Sequence, residues 1–189
     1  MTEKPVQSTR DRGFTALVEG FFANCWFGWG HAVASDAVAL WLNIGGATAV
    51  VVALIGAVIG FRSPKATGAV SNRAAGIRYG IIVGVEFTIA GAGAGLLGAS
   101  GQTDYIPLWI CAVVGIHFFA LVSLLRDRML IPLGILMCVV AGVATVAGLT
   151  DRAASSTVTG LGAGGLLLLF GVLALLGIRR PAPSAASRG

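Results

Sequence analysis

Long apolar runs alternate with short polar segments along most of this chain. A helix that crosses the hydrocarbon core of a bilayer needs about 20 mainly apolar residues, and several runs reach that length. The predicted spans are Phe14–Val33, Ala37–Phe61, Ile77–Ala99, Tyr105–Leu125, Met129–Leu149 and Ser156–Ile178. The pattern predicts an all-α fold, a polytopic membrane bundle of six transmembrane helices with both termini in the cytoplasm. It divides the chain into a cytoplasmic segment 1–13, a membrane domain 14–178 and a disordered cytoplasmic tail 179–189.

The composition favours the same class. Of the 189 residues, 56% are hydrophobic and 11% are charged, whereas a soluble domain carries roughly 25% charged residues. This hydrophobic content also excludes a disordered chain. The net charge of +5 does not indicate nucleic-acid binding, because the basic residues lie between apolar runs without aromatic interleaving or a nucleic-acid motif. The expected partner is therefore the lipid bilayer.

Basic residues set the expected orientation. Cytoplasmic loops of membrane proteins carry an excess of Lys and Arg. Six spans with both termini inside place all of the 13 Lys and Arg residues except Arg152 on the cytoplasmic side. The Ala-, Gly- and Arg-rich usage is typical of a high-GC bacterium, so the expected location is the bacterial inner membrane. An alternative stays open for the first span, since Ala32-Val33-Ala34 resembles a signal-peptidase site whose cleavage would remove Phe14–Val33.

Glycine spacing predicts close helix packing. In lipid, burial of apolar surface does not drive helices together, so small residues and polar contacts must do so. Along the third span Gly80, Gly84, Gly91, Gly95 and Gly98 fall within about 60° of helix arc. We expect this face to form a groove for the backbone of a neighbouring helix.

Two ionisable residues fall at one depth inside the spans. An ionisable side chain in hydrocarbon costs at least about 2.5–3.5 kcal/mol, so it faces the bundle and usually has a partner. Glu86 and His117 lie ~13 Å and ~12 Å from the cytoplasmic edge on consecutive antiparallel helices. Asn24, ~15 Å deep in the first span, lies in nearly the same layer. We expect Glu86 and His117 to form a hydrogen-bonded pair within a polar seam among the first, third and fourth spans.

The other polar residues give weaker signals. His31, Asp36, Asn43 and Asp104 form an outer layer that would line a vestibule or consist of wetted loop groups. Glu19, ~8 Å from the cytoplasmic edge, is expected to snorkel or to pair with a basic neighbour. The chain contains no phosphate loop, paired zinc histidines or nucleophile elbow. No cofactor and no metal site are predicted, and an enzyme is the less favoured class.

A short run in the fourth span resembles a known pattern. Gly115–Leu121 reads Gly-x-His-Phe-x-x-Leu, with His117 as its histidine. It is similar to a motif of a family of small, uncharacterised bacterial multipass membrane proteins. The resemblance implies a compact helical bundle and brings no established activity with it.

Two functions compete on these grounds. The first is a small transporter or channel-like protein with Glu86 and His117 in its path, acting as a proton or cation relay or as a ligand contact. The second is a structural or regulatory membrane subunit that binds a partner subunit, or a second copy of itself, through its glycine-rich faces. A cavity that reaches Glu86 would favour the first, whereas a sealed Glu86 beside an exposed glycine face would favour the second.

Overall fold

The chain folds into long helices joined by short connections. The computed structural model describes residues 8–64, 73–125 and 128–178, and these contain no strand. The helices are α1 Thr9–Gly30, α2 Asp36–Arg62, α3 Arg73–Ala99, α4 Ile106–Leu125, α5 Leu130–Leu149 and α6 Ser155–Ile178. The predicted all-α class is confirmed, and the predicted tail 179–189 lies outside the described residues.

Five helical segments are long and apolar enough to cross a membrane, which is compatible with an integral membrane protein. They are Asp36–Arg62, Gly76–Ala99, Thr103–Leu124, Leu130–Leu149 and Ser155–Gly177. Large apolar side chains on their outer surfaces point the same way, since Phe61 and Leu96 are both 73% exposed. A soluble monomer rarely exposes large contiguous apolar patches. α1 is long enough to cross but is not among the five, because its charged and amide residues lower its hydropathy.

α1 begins five residues before the apolar run that predicted it. Ser8 caps the helix by accepting a hydrogen bond from the Asp11 amide at 3.2 Å, and the Ser8 amide donates to the Asp11 carboxylate at 3.3 Å. This reciprocal capping box satisfies amides that an uncapped helix end would leave without partners. The first turn of α1 therefore belongs to the helix, although its residues are polar.

α1 and α2 form an antiparallel pair in nearly direct backbone contact. Along α1 the buried small and aromatic positions are spaced by three and four residues: Gly13, Ala16, Gly20, Ala23, Phe27 and Gly30. This spacing keeps one narrow stripe of a helix facing its neighbour. A Cβ added to Gly13 would lie 2.5 Å from the Gly60 amide nitrogen, and one added to Gly20 would lie 2.7 Å from the Ala49 carbonyl oxygen. Glycine thus sets the distance between the two helices.

α6 packs against α1 in the same way, although four helices lie between them along the chain. A Cβ at Gly160 would lie 2.5 Å from the Gly30 Cα and 2.8 Å from the Trp26 carbonyl oxygen. Thr157 also donates a hydrogen bond to the Gly30 carbonyl at 3.2 Å. α1 therefore packs on both α2 and α6 along one side, while its other side, with Phe21 and Phe22, is exposed.

α3 lies at the edge of the fold. Its extensive contacts are with α4 and with the turn that precedes α4, whereas α4 and α5 pack on each other and on α6. Among the described residues, nothing occupies the predicted groove for a neighbouring backbone. A Cβ at Gly80, Gly84, Gly91, Gly95 or Gly98 would meet no described atom within 4 Å. The described helices of this chain therefore do not supply that neighbour, because α4 packs on the opposite side of α3.

Candidate functional site

The structure brings Glu86 and His117 together between α3 and α4. His117 Nδ1 lies 3.2 Å from a Glu86 carboxylate oxygen. The two side chains are only 9% (His117) and 14% (Glu86) exposed. A constant rise per residue gives both the same depth, and the short connection between α3 and α4 places the two helices side by side.

The contact has the distance of an ion pair without the alignment of a hydrogen bond. His117 Nδ1 is buried and has no hydrogen-bond partner among the described residues. A buried nitrogen left in this condition costs about 1–3 kcal/mol. The pair therefore has one hydrogen-bonding position that no described residue uses.

Trp109 forms a second point of attachment between the same helices. Its indole N–H donates to the Ile89 carbonyl at 3.3 Å. The ring occupies the space that Gly93 leaves on α3, where an added Cβ would overlap the indole. The sequence alone suggests that a tryptophan near a span end is an interfacial anchor, and it does not indicate that Trp109 contacts α3. A tryptophan on one span and a glycine on the neighbouring span are the sequence features that point to such a contact.

Asn24 does not join the Glu86–His117 pair. α1 packs against α2 and α6, so no extensive contact links it to α3 in the described part of the chain. The predicted polar seam among the first, third and fourth spans is therefore wrong. A helix's neighbours across the bundle do not follow from the depth of its polar residues.

Asn24 instead shares a cleft with two residues of the predicted outer layer, His31 and Asn43. The cleft lies between α1 and α2 and has a volume of about 240 Å³. Its remaining lining residues are Phe27, Gly28, Leu42, Gly46 and Ala47. Two amides and an imidazole give it hydrogen-bonding capacity without a fixed charge. We refer to it as the α1–α2 cleft.

The two outer aspartates lie elsewhere. Asp104 accepts hydrogen bonds from the backbone amides of Ser155 at 3.1 Å and Ser156 at 3.3 Å. It therefore caps the N-terminus of α6, where an anionic side chain is favoured by unpaired amides and by the helix dipole. Asp36 is exposed in the first turn of α2. Neither lines the α1–α2 cleft.

Glu19 is the ionisable residue that the sequence places least well. It was expected to snorkel or to pair with a basic neighbour, but it is 8% exposed and forms no ion pair or hydrogen bond within the described residues. It faces α6 near Gly171. The sequence does contain a sign of this burial. Arg12, Glu19 and Trp26 are spaced by seven residues, which puts all three on one side of α1.

The described residues do not form a metal centre. No group of three His, Cys, Asp or Glu side chains converges within them. The three cysteines are unpaired, and Cys111 donates to the Met137 carbonyl at 3.3 Å. Comparison with family models, with curated proteins and with solved structures finds no match for this chain.

Proposed function

We propose that this chain is a six-crossing protein of a bacterial inner membrane with both termini on the cytoplasmic side. Five apolar helices support the class. α1 supports the sixth crossing, because its 22 residues span about 33 Å, close to the thickness of the hydrocarbon core. It also packs along one side on two apolar helices, α2 and α6, and exposes the large apolar side chains Val18, Phe21 and Phe22 on the other.

We further propose that the protein is an assembly subunit that binds a transmembrane helix through α3. The observation that supports this role is an uncovered stripe of small residues along the whole helix. We define the α3 glycine face as Gly80, Gly84, Thr88, Gly91, Gly95 and Gly98, which fall within about 80° of arc. Small residues at four- and three-residue spacing permit the close backbone approach that drives helix association in lipid.

The occupant that fits this face best is α3 of a second copy. The α3 glycine face carries no charge, so a partner needs shape and small residues instead of a counter-charge. Within this chain, the glycine faces of α1, α2 and α6 are covered by other small-residue helix faces, as at Gly13 on Gly60 and at Gly30 on Gly160. An isologous contact would place the same face on itself about a two-fold axis. The chain thus already contains contacts between small-residue helix faces, and the α3 glycine face is suited to form the same kind of contact with a second copy.

Self-association in vesicles tests this proposal. Gly91→Leu adds bulk at the centre of the α3 glycine face, where the monomer leaves open space. Val85→Phe also adds bulk, but at a 52% exposed position outside that face. Energy transfer between donor- and acceptor-labelled copies measures their association constant. We expect Gly91→Leu to lower this constant at least tenfold, a change of about 1.4 kcal/mol in the free energy of association. Val85→Phe should associate like the parent.

Equal association of both variants and the parent would contradict the use of this face. Loss in both variants would contradict it as well, because the effect would then not depend on position. Neither change should alter the unfolding of the separated copies, since neither added side chain enters a packed interface.

A second proposal, that Glu86 and His117 form a proton relay, is supported by their 3.2 Å contact and the unpaired Nδ1. The side chains are largely sealed between α3 and α4, and two surface cavities of the described chain, the α1–α2 cleft and a groove on α5, are lined by other residues. This arrangement favours assembly. A relay would give proton entry into reconstituted vesicles that Glu86→Gln abolishes, whereas assembly alone gives entry equal to that of empty vesicles.

A further inference from the structure

Glu19 lies where three helices meet. Its residue is 8% exposed, and its neighbours on α1 include Ala16, which is fully buried. A Cβ built on Gly171 of α6 would lie 3.3 Å from the Glu19 Cβ and 3.2 Å from Val52 Cγ1 of α2. The first side-chain carbon of Glu19 therefore lies among small and apolar groups of α1, α2 and α6.

The helices packed around Glu19 offer it no opposite charge. α2 has no ionisable residue between Asp36 and Arg62, and α6 has none at all. On its own face of α1 the ionisable neighbour is Arg12, seven residues or about 10.5 Å away along the axis. Arg12 instead directs its guanidinium toward Gly177 of α6. No described residue forms an ion pair or hydrogen bond with Glu19.

We propose that Glu19 is a proton-binding site in the interior of the bundle. An isolated carboxylate in an apolar environment is so unfavourable that the group takes up a proton instead. A metal ion is a poor occupant, because it needs several oxygen ligands and no described Asp, Glu, His or Cys accompanies Glu19. The proton stays while α1 is packed on α6 and exchanges when those helices separate. This site is independent of the α3 glycine face.

The sign of the pH dependence follows from this arrangement. A folded state that holds a proton which the unfolded chain has released is favoured by acid, so stability falls as pH rises above the range in which the unfolded chain releases that proton. One such proton changes the unfolding equilibrium constant by up to tenfold per pH unit. Glu19→Gln keeps the shape and the neutral form of the group but cannot release a proton.

The test is unfolding of the full chain in mixed micelles as a function of pH. We expect the parent to lose stability as pH rises from mildly acidic to alkaline. In Glu19→Gln the unfolding equilibrium constant should depend less steeply on pH, by up to the tenfold per pH unit that one proton contributes. Identical slopes in the two proteins would overturn the proposal. Glu86→Gln serves as the matched control and should retain the contribution of Glu19.

A spectroscopic measurement covers the case in which Glu19→Gln does not fold. A protonated carboxyl has a carbonyl stretch distinct from that of a carboxylate, and ¹³C-glutamate labelling shifts it. We expect this band at neutral pH in the labelled Glu86→Gln protein. Its absence there would overturn the proposal, whatever the outcome of the association experiment on α3.

Discussion

A leucine at Gly56 is expected to prevent the bundle from forming. A Cβ at this position would lie 2.5 Å from the Leu17 amide nitrogen and 2.7 Å from the Gly13 carbonyl oxygen. Ordinary overpacking of a core costs about 1–3 kcal/mol because side chains can shift. Here the obstacle is backbone, so relief requires α1 and α2 to separate. Gly56→Leu should give no monodisperse protein in detergent, as measured by size-exclusion chromatography.

Gly142→Leu on α5 is the matched control, since it is the same substitution in another apolar helix and lies outside the α3 glycine face. A Cβ at Gly142 meets nothing within 4 Å, so this variant should elute and unfold like the parent. A Gly56→Leu protein as stable as the parent would show that α1 and α2 are not in backbone contact.

Removal of Glu86 is expected to loosen α3 from the rest of the bundle. Glu86→Ala leaves His117, a 9% exposed side chain, without its neighbour at 3.2 Å. The loss should be about 0.6–1.7 kcal/mol, the range over which polar contacts couple helices in membranes. Unfolding in mixed micelles measures the loss, and protease sensitivity of the connection before α3 reports whether the helix detaches.

A double-mutant cycle isolates the pair itself. Polar contacts between helices in membranes couple by about 0.6 kcal/mol on average and up to about 1.7 kcal/mol. Glu86→Ala, His117→Ala and the double variant should show coupling in that range. Strictly additive losses would mean that the two groups do not interact in the folded protein.

Local features of the fold followed from the sequence. The apolar runs predicted where helices lie, because a crossing needs a fixed number of apolar residues. The contact of Glu86 with His117 followed from helix rise and from the short connection between α3 and α4. Both inferences depend on geometry along one or two neighbouring elements.

Features that join distant parts of the chain did not follow. The spacing of Gly56 and Gly60 on α2 resembles that of Gly91 and Gly95 on α3, but α1 covers the former, and no residue in the described part of the chain covers the latter. Periodicity identifies a helix face without identifying its partner. The same limit hid the burial of Glu19, which depends on the passage of α6 beside α1.

Long-range capping was equally hidden. Asp104 and Ser155 are 51 residues apart in sequence, yet the carboxylate of one accepts from the amide of the other. From sequence, an aspartate in a turn suggests a wetted group. Its capping role appears only when the turn before α4 and the start of α6 meet at one end of the bundle.

Cysteine cross-linking at the α3 glycine face tests the central claim most directly. In a chain whose native Cys25, Cys111 and Cys138 are replaced by alanine, a single cysteine is introduced at Gly91 or, as the control, at Val85. On mild oxidation in native membranes, Gly91→Cys should form a disulfide-linked dimer and Val85→Cys should remain monomeric. A monomeric Gly91→Cys protein, or equal dimer yields at the two positions, would contradict α3 as the contact between copies.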